Sequence, residues 1–110
     1  MIEEIIQNYL RENAFPCYLS VPEKPSGNFC VLEKTGSDYE DGIFTATLAV
    51  QSYGSSDYAA AQLSHRVVQT MLDADTLPEI VSCTLNTDYN FPDTTRKLPR
   101  YQAVFEVVHY

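Results

Sequence analysis

The 110-residue chain has few of the residues that most often carry chemistry: two histidines, three cysteines, four glycines and no tryptophan. No glycine falls in a GxGxxG or GxxxxGK pattern, which excludes the common phosphate-binding loops. His65 has no histidine, cysteine or carboxylate three or four residues further along, as a metal-binding pair on a helix requires. His109 precedes the final residue, where an exposed edge position is expected. We therefore predict no metal site at either histidine.

The cysteines are odd in number, widely spaced and without a CxxC pair. A secreted domain of this size more often carries an even disulfide framework. Cys30 and Cys83 fall on the predicted core faces of strands, where burial raises the pKa of a thiol and suppresses its reactivity. Nothing in the sequence marks Cys17 as a nucleophile. We predict reduced, unreactive thiols in a cytosolic protein.

Basic residues are scarce: seven lysines and arginines stand against fifteen acidic residues, for a formal net charge of −8. Such a surface repels phosphate backbones and anionic lipids, which argues against specific nucleic-acid or membrane binding. No apolar run approaches the ~20 residues of a membrane span. The first six residues include two glutamates where a secretory signal needs positive charge. These features predict a protein that is synthesised in the cytoplasm and stays soluble.

The pattern that is present is typical of a globular domain. Hydrophobic residues make up 45% of the chain and charged residues 20%, and the length fits a single domain over 1–110. Apolar residues at helical spacing predict helices, and alternating apolar and polar residues predict strands. The predicted helices are 2–13 and 58–72, and the predicted strands are 17–19, 29–34, 43–53, 80–89 and 101–110.

The predicted fold class is α+β: an antiparallel-dominated sheet of four to five strands, with the main helix packed on one face and an additional N-terminal helix. Segments 29–34 and 43–53 are expected to pair as an antiparallel hairpin. Segment 101–110 is apolar on both faces, which indicates a central strand or one whose outer face a partner covers. The residues predicted to face the main helix are all apolar, which disfavours a polar-lined ligand pocket. They are Phe44, Ala46, Leu48, Val50, Val81, Cys83 and Leu85.

Two charged clusters are the candidate functional residues. Residues 35–42 are predicted to form a polar turn that carries Asp38, Glu40 and Asp41, and a polar stretch between the last two strands carries Arg96, Lys97 and Arg100. An exposed turn lacks the pocket that catalytic carboxylates need. Together with the absent motifs, this predicts a protein that is not an enzyme and binds no cofactor. The eight tyrosines favour a role in protein–protein contact.

Several stretches of the chain resemble a family of small phage tail completion proteins. The first two are FCVLEKTG at 29–36 and ATLAVQSYG at 46–54, which leads into an alanine-rich helix. The others are DYNFPD at 88–93 and YQAVFE at 101–106. The resemblance covers most of the chain from 29 to 105, together with the helix that precedes it.

This family, whose members are also called minor capsid or tail-to-head joining proteins, includes the tail terminators of long-tailed phages. The resemblance implies a structural protein of the virion tail that forms a hexameric ring, terminates the tail tube and joins it to the head. Its implied partners are further copies of itself, the tail tube protein and a head-completion protein. The family has no catalytic motif to carry over. The alternative is a small cytoplasmic adaptor or ligand-binding α+β domain without catalytic activity.

In such a ring, the acidic turn and the basic stretch are predicted to face each other between neighbouring copies, or one of them lines the channel. Charge pairs at the rim of an interface mainly set its register and the rate of association. An acidic channel would let DNA pass without binding, because each neutralised phosphate adds affinity. The six candidate interface residues are therefore a hypothesis about assembly.

Overall fold

The computed structural model describes residues 1–25 and 27–110; Ser26, which the sequence places in a loop, lies outside the described residues. The elements are α1 Ile2–Glu12, β1 Cys17–Tyr18, β2 Phe29–Glu40, β3 Ile43–Tyr53, α2 Asp57–Met71, the 3-10 helix Ala74–Thr76, β4 Ile80–Asn90 and β5 Arg100–His109.

The five strands form one sheet in the order β1-β2-β3-β5-β4. All neighbours pair antiparallel except β1, which pairs parallel to β2 over two residues. The predicted α+β fold with an antiparallel-dominated sheet and two helices is confirmed. The last strand, β5, is central, as its two apolar faces predict; Val104 and Val108 on its outer face are only half-buried.

The hairpin of β2 and β3 is longer than the sequence predicts. Residues 35–40, predicted to belong to a turn, continue strand β2, and pairing with β3 extends to Glu40 and Ile43. The turn itself is only Asp41 and Gly42, whose φ values of 52° and 84° are those that an Asp-Gly hairpin turn needs. Both faces of this part of β2 are exposed, so the strand carries no alternation of apolar and polar residues.

The core lies between the sheet and the two helices, which cover the same face. Ser56 caps α2 by accepting a hydrogen bond from the backbone of Ala59 at 3.1 Å, and Asp57 stands in the first turn, where a carboxylate suits the helix dipole. Gly54 lets the chain pass close to this helix, since an added Cβ would lie 2.5 Å from the backbone nitrogen of Ala60. The largest fully buried side chains in this core are Ile6, Leu10, Leu32, Leu48, Val50, Val67, Met71, Phe105 and Val107.

The predicted inward-facing set is partly wrong. Ala46, Leu48, Val50 and Cys83 are buried as predicted, whereas Phe44, Val81 and Leu85 are 39%, 43% and 36% exposed. In β4 the pairing with β5 shifts register between Ile80 and Ser82, so Ile80 takes the buried place that alternation assigns to Val81. Phe44 and Leu85 keep the predicted face but lie beyond the area that the helices cover.

Candidate subunit interface

The two predicted charged clusters lie at opposite ends of the sheet. Strand β3 begins at Ile43, beside the acidic residues, and ends at Tyr53, which pairs with Arg100 of β5. Its eleven residues span roughly 33 Å at about 3.3 Å per residue. The whole molecule measures 43 × 24 × 24 Å. The acidic and basic groups of one chain are therefore too far apart to pair with each other.

The acidic end consists of Asp38 and Glu40 on β2 and Asp41 in the turn. All three side chains are exposed, and none forms a salt bridge with any residue the structure describes. Together with Ile43 and Thr45 they line an open groove of about 600 Å³. Three carboxylates around an open groove repel one another and attract a cationic partner.

The basic end is organised around Asp93, a residue that the sequence analysis did not single out. This carboxylate is 4% exposed and accepts hydrogen bonds from the Tyr53 hydroxyl at 2.9 Å, the Arg96 backbone N–H at 3.0 Å and the Arg96 guanidinium at 3.1 Å. Arg100 lies 3.8 Å from the same carboxylate. Asp93 also pairs with Leu98 through two backbone hydrogen bonds. These contacts fix the loop that joins β4 to β5.

Two physical effects oppose each other at Asp93. Burial acts to raise the pKa of the carboxyl group, but hydrogen bonds from Arg96 and Tyr53 and the charge of Arg100 outweigh it and hold the pKa below its ordinary value. Burial raises the pKa of the Tyr53 hydroxyl, although the hydrogen bond from Arg100 opposes it. The carboxylate is thus kept charged and the phenol neutral, which suits a structural role. We call this hydrogen-bonded group of Asp93, Tyr53, Arg96 and Arg100 the loop clasp.

The three predicted basic residues differ in how far they are available. Arg100 donates to the Phe91 carbonyl at 2.7 Å and to the Tyr53 hydroxyl at 3.1 Å, and its side chain is 14% exposed. Arg96 is bound to Asp93, although its side chain is 48% exposed. Lys97 is exposed and forms no hydrogen bond or salt bridge through its side chain within the described part of the chain. Lys97 is therefore the most available cation of this end.

The other residues weighed for chemistry do not converge on a site. His65 is exposed on α2, and the ring of His109 stacks on Phe44 with 5.3 Å between centroids. Over residues 1–25 and 27–110, no group of three or more histidine, cysteine, aspartate or glutamate side chains is placed to hold a metal ion.

The three thiols are buried, as predicted for Cys30 and Cys83, and Cys17 is buried as well. Burial raises the pKa of Cys17 to about 11 and the pKa values of Cys30 and Cys83 to about 12. At neutral pH these sulfurs are thiols, so their nucleophilicity is low.

No protein-family model matches the chain, and no curated protein matches it either. Among the described residues, no helix is both long enough and apolar enough to cross a membrane.

Proposed function

We propose that this protein is a structural component of a phage or prophage tail, which ends the tail tube and joins it to the head as a ring of identical copies. The separation of charge along the molecule supports the contact between copies, and the resemblance to tail completion proteins supports the role in a tail. An acidic end and a basic end at opposite ends of one sheet cannot neutralise each other within a chain. They can do so between two copies placed head to tail.

A ring requires this kind of contact. In a ring, one patch of each copy meets a different patch on the next copy, whereas in a two-fold dimer the same patch of both copies forms the contact, with residue i of one copy against residue j of the other and the reverse. A two-fold contact at the acidic end would place six carboxylates face to face, because Asp38, Glu40 and Asp41 are all exposed there. Like charges that face each other across an interface cost several kcal/mol of binding free energy. The charge distribution therefore disfavours a two-fold contact centred on the acidic end, whereas a head-to-tail contact brings opposite charges together.

The resemblance to tail completion proteins supports the same reading. Its matching stretches, 29–36, 46–54 and 101–106, belong to β2, β3 and β5, which are three adjacent strands of the sheet. The fourth, 88–93, contains Asp93 and thus the centre of the loop clasp. The residues that resemble the family are those that hold the sheet and its basic end in shape.

Reversing one charge at each end tests the proposal. Lys97→Glu is expected to reduce the molar mass measured by light scattering at high protein concentration, because it places a fourth acid opposite the acidic end of the next copy. Lys24→Glu is the matched control: it makes the same change in net charge at another exposed lysine. Combining Lys97→Glu with Glu40→Lys restores opposite charges and is expected to restore the mass.

If Lys97→Glu and Lys24→Glu give the same molar mass, the electrostatic contact is contradicted. A protein that stays monomeric up to about 1 mM and also fails to bind a tail tube would contradict the ring itself and favour a small adaptor that binds one partner. Tight binding of duplex DNA at about 0.15 M salt would contradict the prediction that an acidic channel lets DNA pass.

A further inference from the structure

The acidic end carries a row of aromatic rings that no helix covers. The rings of Tyr39 and Phe44 lie 4.6 Å apart between centroids, and Phe44 stacks on His109 with an interplanar angle of 10°. Tyr39 is 62% exposed and Phe44 is 39% exposed. Phe44 and His109 line a cleft of about 340 Å³ together with Lys34 and with Ile2 and Ile5 of α1, whereas Tyr39 lines the groove of the acidic residues. The row lies on the same face of the sheet as the helices.

The basic end carries a second aromatic group, on the opposite face of the sheet. Tyr89 and Phe91 make an edge contact with 5.6 Å between centroids, and each is 40% exposed. The guanidinium of Arg100 lies 4.3 Å from the centroid of the Phe91 ring, within cation–π range. Tyr89 is paired with Gln102 of β5, which belongs to the face away from the helices. Phe91 begins the loop that joins β4 to β5, and this loop carries the exposed cations Arg96 and Lys97.

Each end therefore combines exposed aromatic side chains, which are typical of the centre of a protein interface, with charged residues, which are typical of its rim. Fully buried aromatic and arginine side chains dominate the binding energy of most interfaces, and charged residues at the rim exclude wrong partners. The two rims have opposite signs, and the two aromatic groups lie at opposite ends and on opposite faces. A second copy of this chain supplies both the opposite charge and an aromatic group on the facing side of the sheet when its basic end overlaps the acidic end of the first copy.

We propose that the row of Tyr39, Phe44 and His109 docks on the Tyr89–Phe91 pair of a second copy, as an overlapping joint between successive subunits. The proposal rests on the proposed ring and names the contact that would hold it together. Because the two docking groups are on opposite faces, each copy lies over one neighbour and under the other. The aromatic groups supply affinity and the charges supply orientation, so an aromatic variant should weaken the joint even when all charges are kept.

The test uses two variants that each disable one end. Tyr39→Ala disables the acidic end and Phe91→Ala disables the basic end, and each is expected to raise the dissociation constant of self-association at least tenfold. Mixing them leaves one working joint: the intact basic end of the first variant binds the intact acidic end of the second. Sedimentation should then show a one-to-one dimer that grows no further. Tyr58→Ala is the control, since Tyr58 is 72% exposed on α2 and lies outside both groups.

The outcomes separate the joint from the ring. If both variants assemble like the parent protein, the aromatic joint is wrong and the ring proposal stands. If each variant alone is monomeric and their mixture is monomeric as well, the contact is not heterologous and the proposal is overturned. If the parent protein neither self-associates at about 1 mM nor assembles on a tail tube, both proposals fail. Circular dichroism of every variant confirms that loss of association is not loss of fold.

Discussion

Replacing Asp93 with alanine is expected to destabilise the protein by about 3 kcal/mol. The carboxylate accepts three hydrogen bonds while only 4% exposed. A hydrogen bond to a charged group contributes about 1.5–3 kcal/mol to the free energy of unfolding. The side chain of Arg96 is 48% exposed and regains water when its partner is lost, so its guanidinium contact adds little. The expected loss of stability therefore comes from the two other hydrogen bonds, from the Tyr53 hydroxyl and from the Arg96 backbone N–H. Each contributes about 1.5 kcal/mol to the free energy of unfolding.

Urea unfolding followed by far-ultraviolet circular dichroism measures this loss. Asp93→Asn is the conservative companion, because it keeps the shape of the side chain and one acceptor oxygen, while it removes the charge and replaces the second oxygen with an NH2 donor. It should cost about half as much as the alanine variant, about 1–2 kcal/mol. An alanine variant within about 0.5 kcal/mol of the parent protein would refute the reasoning, since surface substitutions commonly fall in that range.

The dependence on pH gives the same prediction a second readout. Hydrogen bonds outweigh burial and hold the pKa of Asp93 below the ordinary value of 3.8. A carboxyl group whose pKa is lower in the folded state stabilises the fold above its unfolded pKa, and that contribution is lost as the pH falls through its folded pKa. The stability difference between the parent protein and Asp93→Asn should be full near about pH 6 and shrink below about pH 4. A difference that does not change with pH would contradict the assignment.

Two further predictions concern the core and the thiols. Gly54→Ala is expected to lower the free energy of unfolding in urea by about 1–3 kcal/mol, because its Cβ would meet the backbone of Ala60 at 2.5 Å. Gly36→Ala is the control and should lower it little, because its Cβ meets nothing within 4 Å. Equal losses of stability in the two variants would argue against the close approach at Gly54. The raised thiol pKa values predict that the folded protein reacts with iodoacetamide at about pH 8 about a hundredfold more slowly than the urea-unfolded protein. Comparable rates would show that the cysteines are accessible.

The elements with a one-sided apolar pattern could be predicted from the sequence. Helices α1 and α2 have apolar residues at helical spacing and strand β3 alternates apolar and polar residues, so these patterns predict the type of each element and its ends to within one residue. The hairpin of β2 and β3 could also be predicted, because two strand-forming segments joined by a short polar segment pair antiparallel.

The predictions that were wrong or missing concern features that depend on contacts between distant parts of the chain, which a local sequence pattern does not record. The outer half of β2 is exposed on both faces, so its strand conformation comes from backbone pairing with β3 alone. The bulge after Ile80 reverses the alternation of β4, and a single sequence gives no sign of it. The clasp around Asp93 joins residues 40 positions apart, Tyr53 and Asp93. An aspartate with arginines three and seven residues further along, between Pro92 and Arg100, is the local signal that could have indicated it.

Electron microscopy of tail tubes tests the central claim most directly. To test the proposed function, a tail tube protein from the phage or prophage proposed to encode this chain is polymerised with and without the protein, and the tube ends are imaged. We expect tubes formed with the protein to stop growing and to carry a ring of subunits at one end, and we expect Lys97→Glu to weaken this capping more than Lys24→Glu does. Tubes of unchanged length with bare ends, at concentrations where the protein is folded and in excess, would contradict it.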